Sequence, residues 1–280
     1  MLATRVITAV VALLVLLAMV FLAPAWLWAL FVLAVALVSC WEWSRMCGLG
    51  GAGRAAFLGI CVATGAALWL FHASAAGGAF LQLALVAFGL AAAFWALVAP
   101  FWIARRLRPA PAVAALAGWV VIWPTWMAFV VLRAAGPWVL LAAAALVWVA
   151  DIAAYFAGRR FGRRKLAPAV SPGKTWEGVL GALAGVALYG IVLACIARSQ
   201  AAPFTDVFAP GGGIPAVAAM LGLALLSVVG DLFESWMKRG AGLKDSSALL
   251  PGHGGMLDRI DALTSTLPVA ALVLTLRAML

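Results

Sequence analysis

Lys238, Arg239, Lys244, Asp245, His253, Asp258, Arg259 and Asp261 crowd into one short stretch of a chain that is otherwise almost all hydrocarbon. Ionisable side chains beside a bilayer are costly, so such a cluster between apolar spans marks a functional site. Just before it, Asp231, Glu234, Ser235, Lys238 and Arg239 follow i, i+3, i+4, i+7 and i+8. That spacing lays one polar stripe along an apolar helix, as in a cavity wall. Snorkelling accounts for Lys238 and Arg239 at a helix end. It does not account for Asp231, which lies deeper and needs a metal or a lysine beside it. Pro251-Gly252-His253-Gly254-Gly255 reads as a turn whose glycines let backbone approach a ligand closely. Asp258 and Asp261, three apart with Arg259 between them, open the next apolar span.

A second polar segment runs from Asp151 to Gly178. Asp151 and Tyr155 stand one helical turn apart and share a face. Five basic residues follow between Arg159 and Lys165. Ser171 and Pro172 suit the N-cap and first turn of the next helix, which would set Lys174 at a helix N-terminus, where anions bind. Gly173-Lys174-Thr175 resembles the end of a P-loop, but that loop needs a glycine five positions before its second one, and residue 168 is proline. The inventory suits phosphoryl or nucleotidyl transfer. Carboxylates from two helices can hold Mg²⁺ together with substrate phosphates, and several Lys and Arg can neutralise a triphosphate and a second phosphorylated partner. No serine, histidine and acid triad is apparent, and such transfers run on positioning and charge stabilisation without one.

The order Ser235, Lys238-Arg239, Lys244-Asp245, Pro251-Gly252-His253-Gly254-Gly255, Asp258-Arg259-Ile260-Asp261 resembles the signature of the phosphatidate cytidylyltransferases, or CDP-diacylglycerol synthases. The segment Ser171 to Gly178, SPGKTWEG, is similar to a second, weaker motif of that family. The likeness covers residues 151–261; the first half matches only as hydrophobic spans. It implies that CTP and phosphatidate give CDP-diacylglycerol and pyrophosphate, with a phosphatidate oxygen attacking the α-phosphorus of CTP at the cytoplasmic face. On this resemblance Lys174, Lys238, Arg239 and Lys244 bind phosphates, and Asp231 and Asp258 hold the Mg²⁺, with a second cation compatible. Asp245, Arg259 and Asp261 occupy signature positions, and His253 donates to a phosphate or to the departing pyrophosphate. Ser171, Thr175, Ser235, Gly254 and Gly255 stand as substrate contacts, and a homodimer is compatible. Two rivals predict different outcomes. A CTP-dependent lipid kinase would move the γ-phosphate and release CDP, and an ion-coupled transporter would use Asp151 and Asp231 as an ion path. The transporter gives no reason for the ordered motif.

These groups need a membrane framework to position them. With 67% hydrophobic and 10% charged residues among 280, and a mean hydropathy of +1.15, the chain cannot clothe a soluble globule. It reads as an all-α polytopic membrane protein. Nine spans of adequate length fall at 6–23, 25–41, 55–73, 79–100, 112–132, 137–157, 176–197, 213–235 and 259–279. The first reads as a retained span and not a signal peptide, since Pro24 and another span follow directly. With the N-terminus inside, sixteen of the nineteen Lys and Arg fall in inner loops, leaving Arg133, Arg198 and Arg277 outside. The positive-inside rule therefore predicts N-in/C-out topology and a cytoplasm-facing polar cavity in a bacterial-type inner membrane. The net charge of +10 suits anionic headgroups and soluble phosphates; the basic-aromatic interleaving of a nucleic-acid groove is absent.

Composition divides the chain into scaffold helices over 1–135 and a catalytic region over 136–280, within one continuous membrane domain. In the first part Glu42 is the sole acid, expected to pair locally with Arg45 at i+3. The tryptophan pairs 26/28, 41/43 and 123/126 are expected at the interfaces. Ala91 to Ala93 and Gly181 to Gly185 would permit close helix packing. Cys40, Cys47, Cys61 and Cys195 show no CxxC spacing and read as unpaired packing residues, His72 as an interfacial structural residue. Asp206 has no assigned role.

Overall fold

The computed structural model describes residues 2–74, 78–199 and 214–278 and is helical over 82% of its length. Asp206 and Gly211 to Gly213 lie outside the described residues. The helices are α1 Leu2–Phe21, α2 Ala25–Ser44, α3 Gly51–Ser74 and α4 Gly78–Ala93, the last running through a π-helical turn at Phe94–Val98 into α5, Ala99–Arg105. Then come α6 Pro111–Ala135, α7 Pro137–Phe161, a two-stranded antiparallel hairpin of β1 Lys165–Ala167 and β2 Ser171–Thr175, α8 Trp176–Ser199, α9 Ile214–Gly240 and α10 Leu257–Ala278. Among the described residues, eight helical segments are long and apolar enough to cross a membrane, with α4 to α5 counted as one. These eight correspond to the second to ninth expected spans. The first corresponds to α1, whose described apolar part, Val6–Phe21, is shorter.

Helix α10 is the hub, packing on α9, α6, α4, α7 and α2. Small residues make the approaches close. A Cβ at Gly181 or Gly185 of α8 would overlap Ala157 or Ala153 of α7, and Ala91 is fully buried, so the small-residue stretches serve packing as their composition implies. Gly230 does the same for α9, where a Cβ would overlap Ser265 Oγ of α10; Ser265 donates to Leu226 O at 2.7 Å. Pro268 inside α10 cannot donate to Thr264 O, and Thr125 Oγ1 of α6 reaches that carbonyl at 3.4 Å.

The tryptophan expectation needs correcting. Trp26 and Trp41 are exposed, but Trp28, Trp43, Trp123 and Trp126 are buried in the core. Indole N–H groups explain three of these as interhelix ties: Trp28 donates to Phe129 O at 3.1 Å, Trp43 to Ala114 O at 2.8 Å and Trp126 to Ala29 O at 3.1 Å. A buried indole usually finds such a partner, and carbonyls of neighbouring helices supply it for these three, whereas the indole N–H groups of Trp123 and Trp95 have none among the described residues. His72 packs against Phe80, ring centroids 4.7 Å apart and planes tilted by 56°, a packing role. Cys40, Cys47 and Cys61 are buried free thiols and Cys195 an exposed one. Burial pushes the Cys47 thiol, in the turn after α2, up to about 12.

Candidate active site

Helix α9 has two unlike faces at its end. Phe233, Trp236 and Met237 enter an aromatic nest with Trp43, Phe94, Trp95 and Trp102; Phe233 lies 5.4 Å from both Phe94 and Trp95. The opposite stripe carries Asp231, Glu234, Ser235 and Lys238 toward α8, β2 and α10. Burying the aromatic face fixes the rotation of the helix, and with it the direction of the carboxylates.

Lys238 is the pivot. Its Nζ lies 3.0 Å from Glu234 Oε2 and 2.6 Å from Asp258 Oδ1, all three side chains being at most 11% exposed. Asp258 also accepts from Gly255 N at 2.7 Å, from Ser246 N at 3.0 Å and from Ser246 Oγ at 3.0 Å. One carboxylate thus gathers the loop between α9 and α10 around the start of α10, where the helix dipole favours negative charge. Asp261 sits one turn further in, coupled electrostatically to Glu234, Lys238 and Asp231, and accepts from Ala262 N. Glu234 Oε1 is buried, with the Asp261 carboxyl as its neighbour. On the far side, Lys174 Nζ of β2 pairs with Asp231 Oδ2 at 2.5 Å, and Ser235 Oγ lies 3.4 Å from Asp231 Oδ1. The result is a continuous polar chain: Lys174, Asp231, the Asp261–Glu234 pair, Lys238, Asp258.

A cavity of about 510 Å³ adjoins the Lys174 end, lined by Asp151, Tyr155, Arg159, Ser171, Lys174 and Asp231 among others. Asp151 and Tyr155 share this wall, as their one-turn spacing implies. Ser171 and Pro172 do not cap a helix. They belong to β2, and the cap is Thr175, whose Oγ1 accepts from Gly178 N at 3.1 Å ahead of α8. Lys174 therefore projects from a strand two residues before the helix. The Glu177 carboxylate accepts from Arg163 N at 3.0 Å and Arg164 N at 3.2 Å, fastening the hairpin to α8.

The remaining signature residues spread around the rim. Lys244, Asp245 and Arg259 are exposed, and Arg239 donates to Leu243 O at 3.1 Å. His253 lies in the turn, its Nδ1 buried without a partner among the described residues. Gly254 and Gly255 have a structural reason to be glycine. Gly254 has φ +80°, where L side chains are strained, and a Cβ there would come within 2.6 Å of Asp258 Oδ2. A Cβ at Gly255 would overlap Ser246 Oγ and Glu42 Oε1.

That last contact involves a residue the sequence reading gave to another partner. Glu42 is fully buried and forms no ion pair with Arg45. Its Oε1 accepts from Ser247 Oγ at 2.6 Å and Met256 N at 2.9 Å, and its Oε2 from Leu257 N at 2.6 Å. Arg45 instead donates to Ser246 O at 2.8 Å. A side chain from α2 thus holds the start of α10 and the glycine turn beside it. The one available signal was a lone acid in an otherwise acid-free half.

A sequence model of the cytidylyltransferase family matches residues 3–277. A phosphatidate cytidylyltransferase of Pseudomonas aeruginosa is 42% identical, across 98% of this chain and 97% of its own length. That of Haemophilus influenzae is 35% identical over 96% of each chain. That of Thermotoga maritima is 41% identical over 126 residues, 45% of each chain.

Proposed function

The chain belongs to the cytidylyltransferase family, and from that premise we infer that it transfers the cytidylyl group of CTP to phosphatidate, giving CDP-diacylglycerol and pyrophosphate. The observation that carries the site assignment is the polar chain from Lys174 to Asp258, built from β2, α9 and α10, half-buried at its Lys174–Asp231 end and buried among apolar helices at Glu234, Lys238 and Asp258. A phosphatidate phosphate oxygen attacks the α-phosphorus of CTP, the bond from that phosphorus to the bridging oxygen breaks, and pyrophosphate leaves. Nothing in this exchange needs a covalent enzyme intermediate; it needs phosphates held in line and charge offset. Lys174, Lys238 and Lys244 supply the cations for the phosphates, with Arg259 at the rim, while Arg239, which the resemblance also gives to a phosphate, lines a separate cavity on the other side of α9. Ser171, Thr175 and Ser235 line or support the approach, and His253 donates to a phosphate oxygen. Asp261 steadies Lys238 from α10, and Asp245 stands at the rim.

The carboxylates fit a divalent cation. Asp231, Glu234, Asp258 and Asp261 outnumber Lys174 and Lys238 in the polar chain, and two of the carboxyls, Glu234 and Asp261, lie against each other. Among the described residues, no group of three or more His, Cys, Asp or Glu lies close enough to hold a metal by itself; Mg²⁺ takes one or two carboxylates and completes its shell with phosphates and water. Asp231 and Asp258 would hold it, each exchanging part of its bonding to Lys174 or to Lys238 and Ser246. Bound there, Mg²⁺ supplies charge neutralisation to the triphosphate. Counting α1 as the ninth span, the bias of Lys and Arg toward alternate loops supports a topology with the N-terminus, the hairpin and the glycine turn on the cytoplasmic side of the inner membrane and the C-terminus opposite.

The test uses purified protein with phosphatidate, Mg²⁺ and α-labelled CTP, beside Asp258→Asn and an EDTA-treated sample. Lipid-borne cytidine with one pyrophosphate per turnover is expected, lost in the variant and on chelation and restored by Mg²⁺. Release of CDP with label absent from the lipid would refute the transfer.

A further inference from the structure

Across α9 from the Lys174–Asp231 cavity lies another, of about 570 Å³, whose lining carries four arginines and no carboxylate: Arg45 after α2, Arg106 and Arg108 between α5 and α6, and Arg239 at the end of α9. Trp236 and Met237 form part of its apolar wall. The positive-inside rule explains why arginines sit in inner loops. It does not explain why loops far apart in sequence should turn four of them onto one cavity, where like charges repel. Among the described residues none of the four forms an ion pair.

Two details suggest a built site. Arg106 takes the left-handed conformation, φ +51°, as the C-cap of α5, its N–H bonding back to Ile103 O, and the chain that turns there carries Arg108 to the same cavity. Arg45 and Arg239 are held in place by bonds to Ser246 O at 2.8 Å and Leu243 O at 3.1 Å, leaving other guanidinium N–H groups for a ligand. Ser246 is also the residue that donates twice to Asp258, so this cavity and the polar chain share a loop. The volume suits a small-molecule ligand, and guanidinium forks match phosphate oxygens.

We propose that this arginine-lined cavity is a second phosphate-binding site, taking the phosphates of a soluble nucleotide or pyrophosphate or the phosphate of a lipid headgroup. The proposal rests on the cytidylyl-transfer reading only for the choice of ligands. The test uses full-length protein in phosphatidylcholine nanodiscs, comparing wild type with R106Q/R108Q, R106K/R108K and the single variant R108Q, which leaves the left-handed position untouched. Equilibrium binding of CTP and of pyrophosphate is measured at two salt concentrations, and retention of phosphatidate by native mass spectrometry. The glutamine double variant is expected to weaken one ligand class about tenfold or more, R108Q less, and the lysine variant least. Loss confined to CTP and pyrophosphate identifies a soluble occupant; loss confined to phosphatidate identifies a headgroup. Unchanged binding of every ligand in folded R106Q/R108Q, or in R108Q should the double variant not fold, overturns the proposal. Failure of wild type to release pyrophosphate would sink the transfer reading and leave this comparison intact.

Discussion

Replacing Glu42 by glutamine keeps the size of the side chain and removes its charge. The carboxylate accepts three bonds, from Ser247 Oγ, Met256 N and Leu257 N. Glutamine offers one oxygen and one NH₂, so at least one N–H or O–H of the α10 entry must face another donor. Losing charge assistance costs about 1 kcal/mol for each bond, since charged bonds contribute roughly 1.5–3 and neutral ones about 1. The favourable placing of negative charge at a helix N-terminus adds about 0.5–1 kcal/mol. The sum is about 3–4 kcal/mol. If the loosened turn reaches Asp258 through Gly255, that energy corresponds to a fall of about a hundredfold or more in kcat/KM. The assay pairs initial rates of cytidylyl transfer with apparent Tm in detergent for E42Q, E42D and wild type, with R45Q as comparison. E42Q is expected to lose both stability and activity, and R45Q less, because Arg45 contributes one bond to a carbonyl. An E42Q protein within twofold of wild type in rate and unchanged in Tm would refute the positioning role of Glu42.

Lys238→Met should be among the most damaging substitutions. It leaves Glu234 and Asp258 buried without their shared cation, a loss of about 3–5 kcal/mol, and a drop in apparent stability below 1 kcal/mol would contradict the pivot role. Gly255→Ala should abolish activity and lower folded yield because its Cβ overlaps Ser246 Oγ and Glu42 Oε1, whereas Gly222→Ala in α9, with nothing within 4 Å, should retain its yield. Equal yields in size-exclusion profiles would count against the packing argument. For Cys47, whose thiol burial raises from 9.0 to about 12, the neutral form is favoured in the folded chain. Its stabilisation is complete below about pH 9 and is lost as pH climbs through 12. Apparent Tm of wild type should therefore fall more steeply over that window than that of C47A; parallel curves would show that burial of the thiol contributes nothing.

The residues of α9 and α10 were legible because a helix repeats every 3.6 residues: Asp231, Glu234, Ser235 and Lys238 had to share a stripe, and an aromatic face opposite them fixes its direction. Lys174 was legible as a phosphate-side cation, but the element bearing it was not. Ser171-Pro172 carries the residue types of an N-cap, and Thr175 carries them too; a hairpin of three and five residues is too short to show periodicity. Glu42 was misread because Arg45 stood at a spacing that satisfies a local argument, while its true partners are over 200 residues away. Long-range satisfaction of a buried carboxylate leaves no local pattern. The buried tryptophans follow the same logic, since which indole meets a carbonyl depends on neighbouring helices and not on proximity to a span end.

Glu42 also gives assembly of the bundle a clock. Its donors lie 205, 214 and 215 residues downstream, so at synthesis rates of about 5–20 residues per second they emerge roughly 10–40 s later. Throughout that interval α2 carries a carboxylate whose final partners do not yet exist, and it must stay near water or borrow a temporary companion in the insertion machinery. Docking of α10 closes the bundle and satisfies the acid in one event. A nascent chain halted before its last helix therefore keeps an unmet carboxylate in α2.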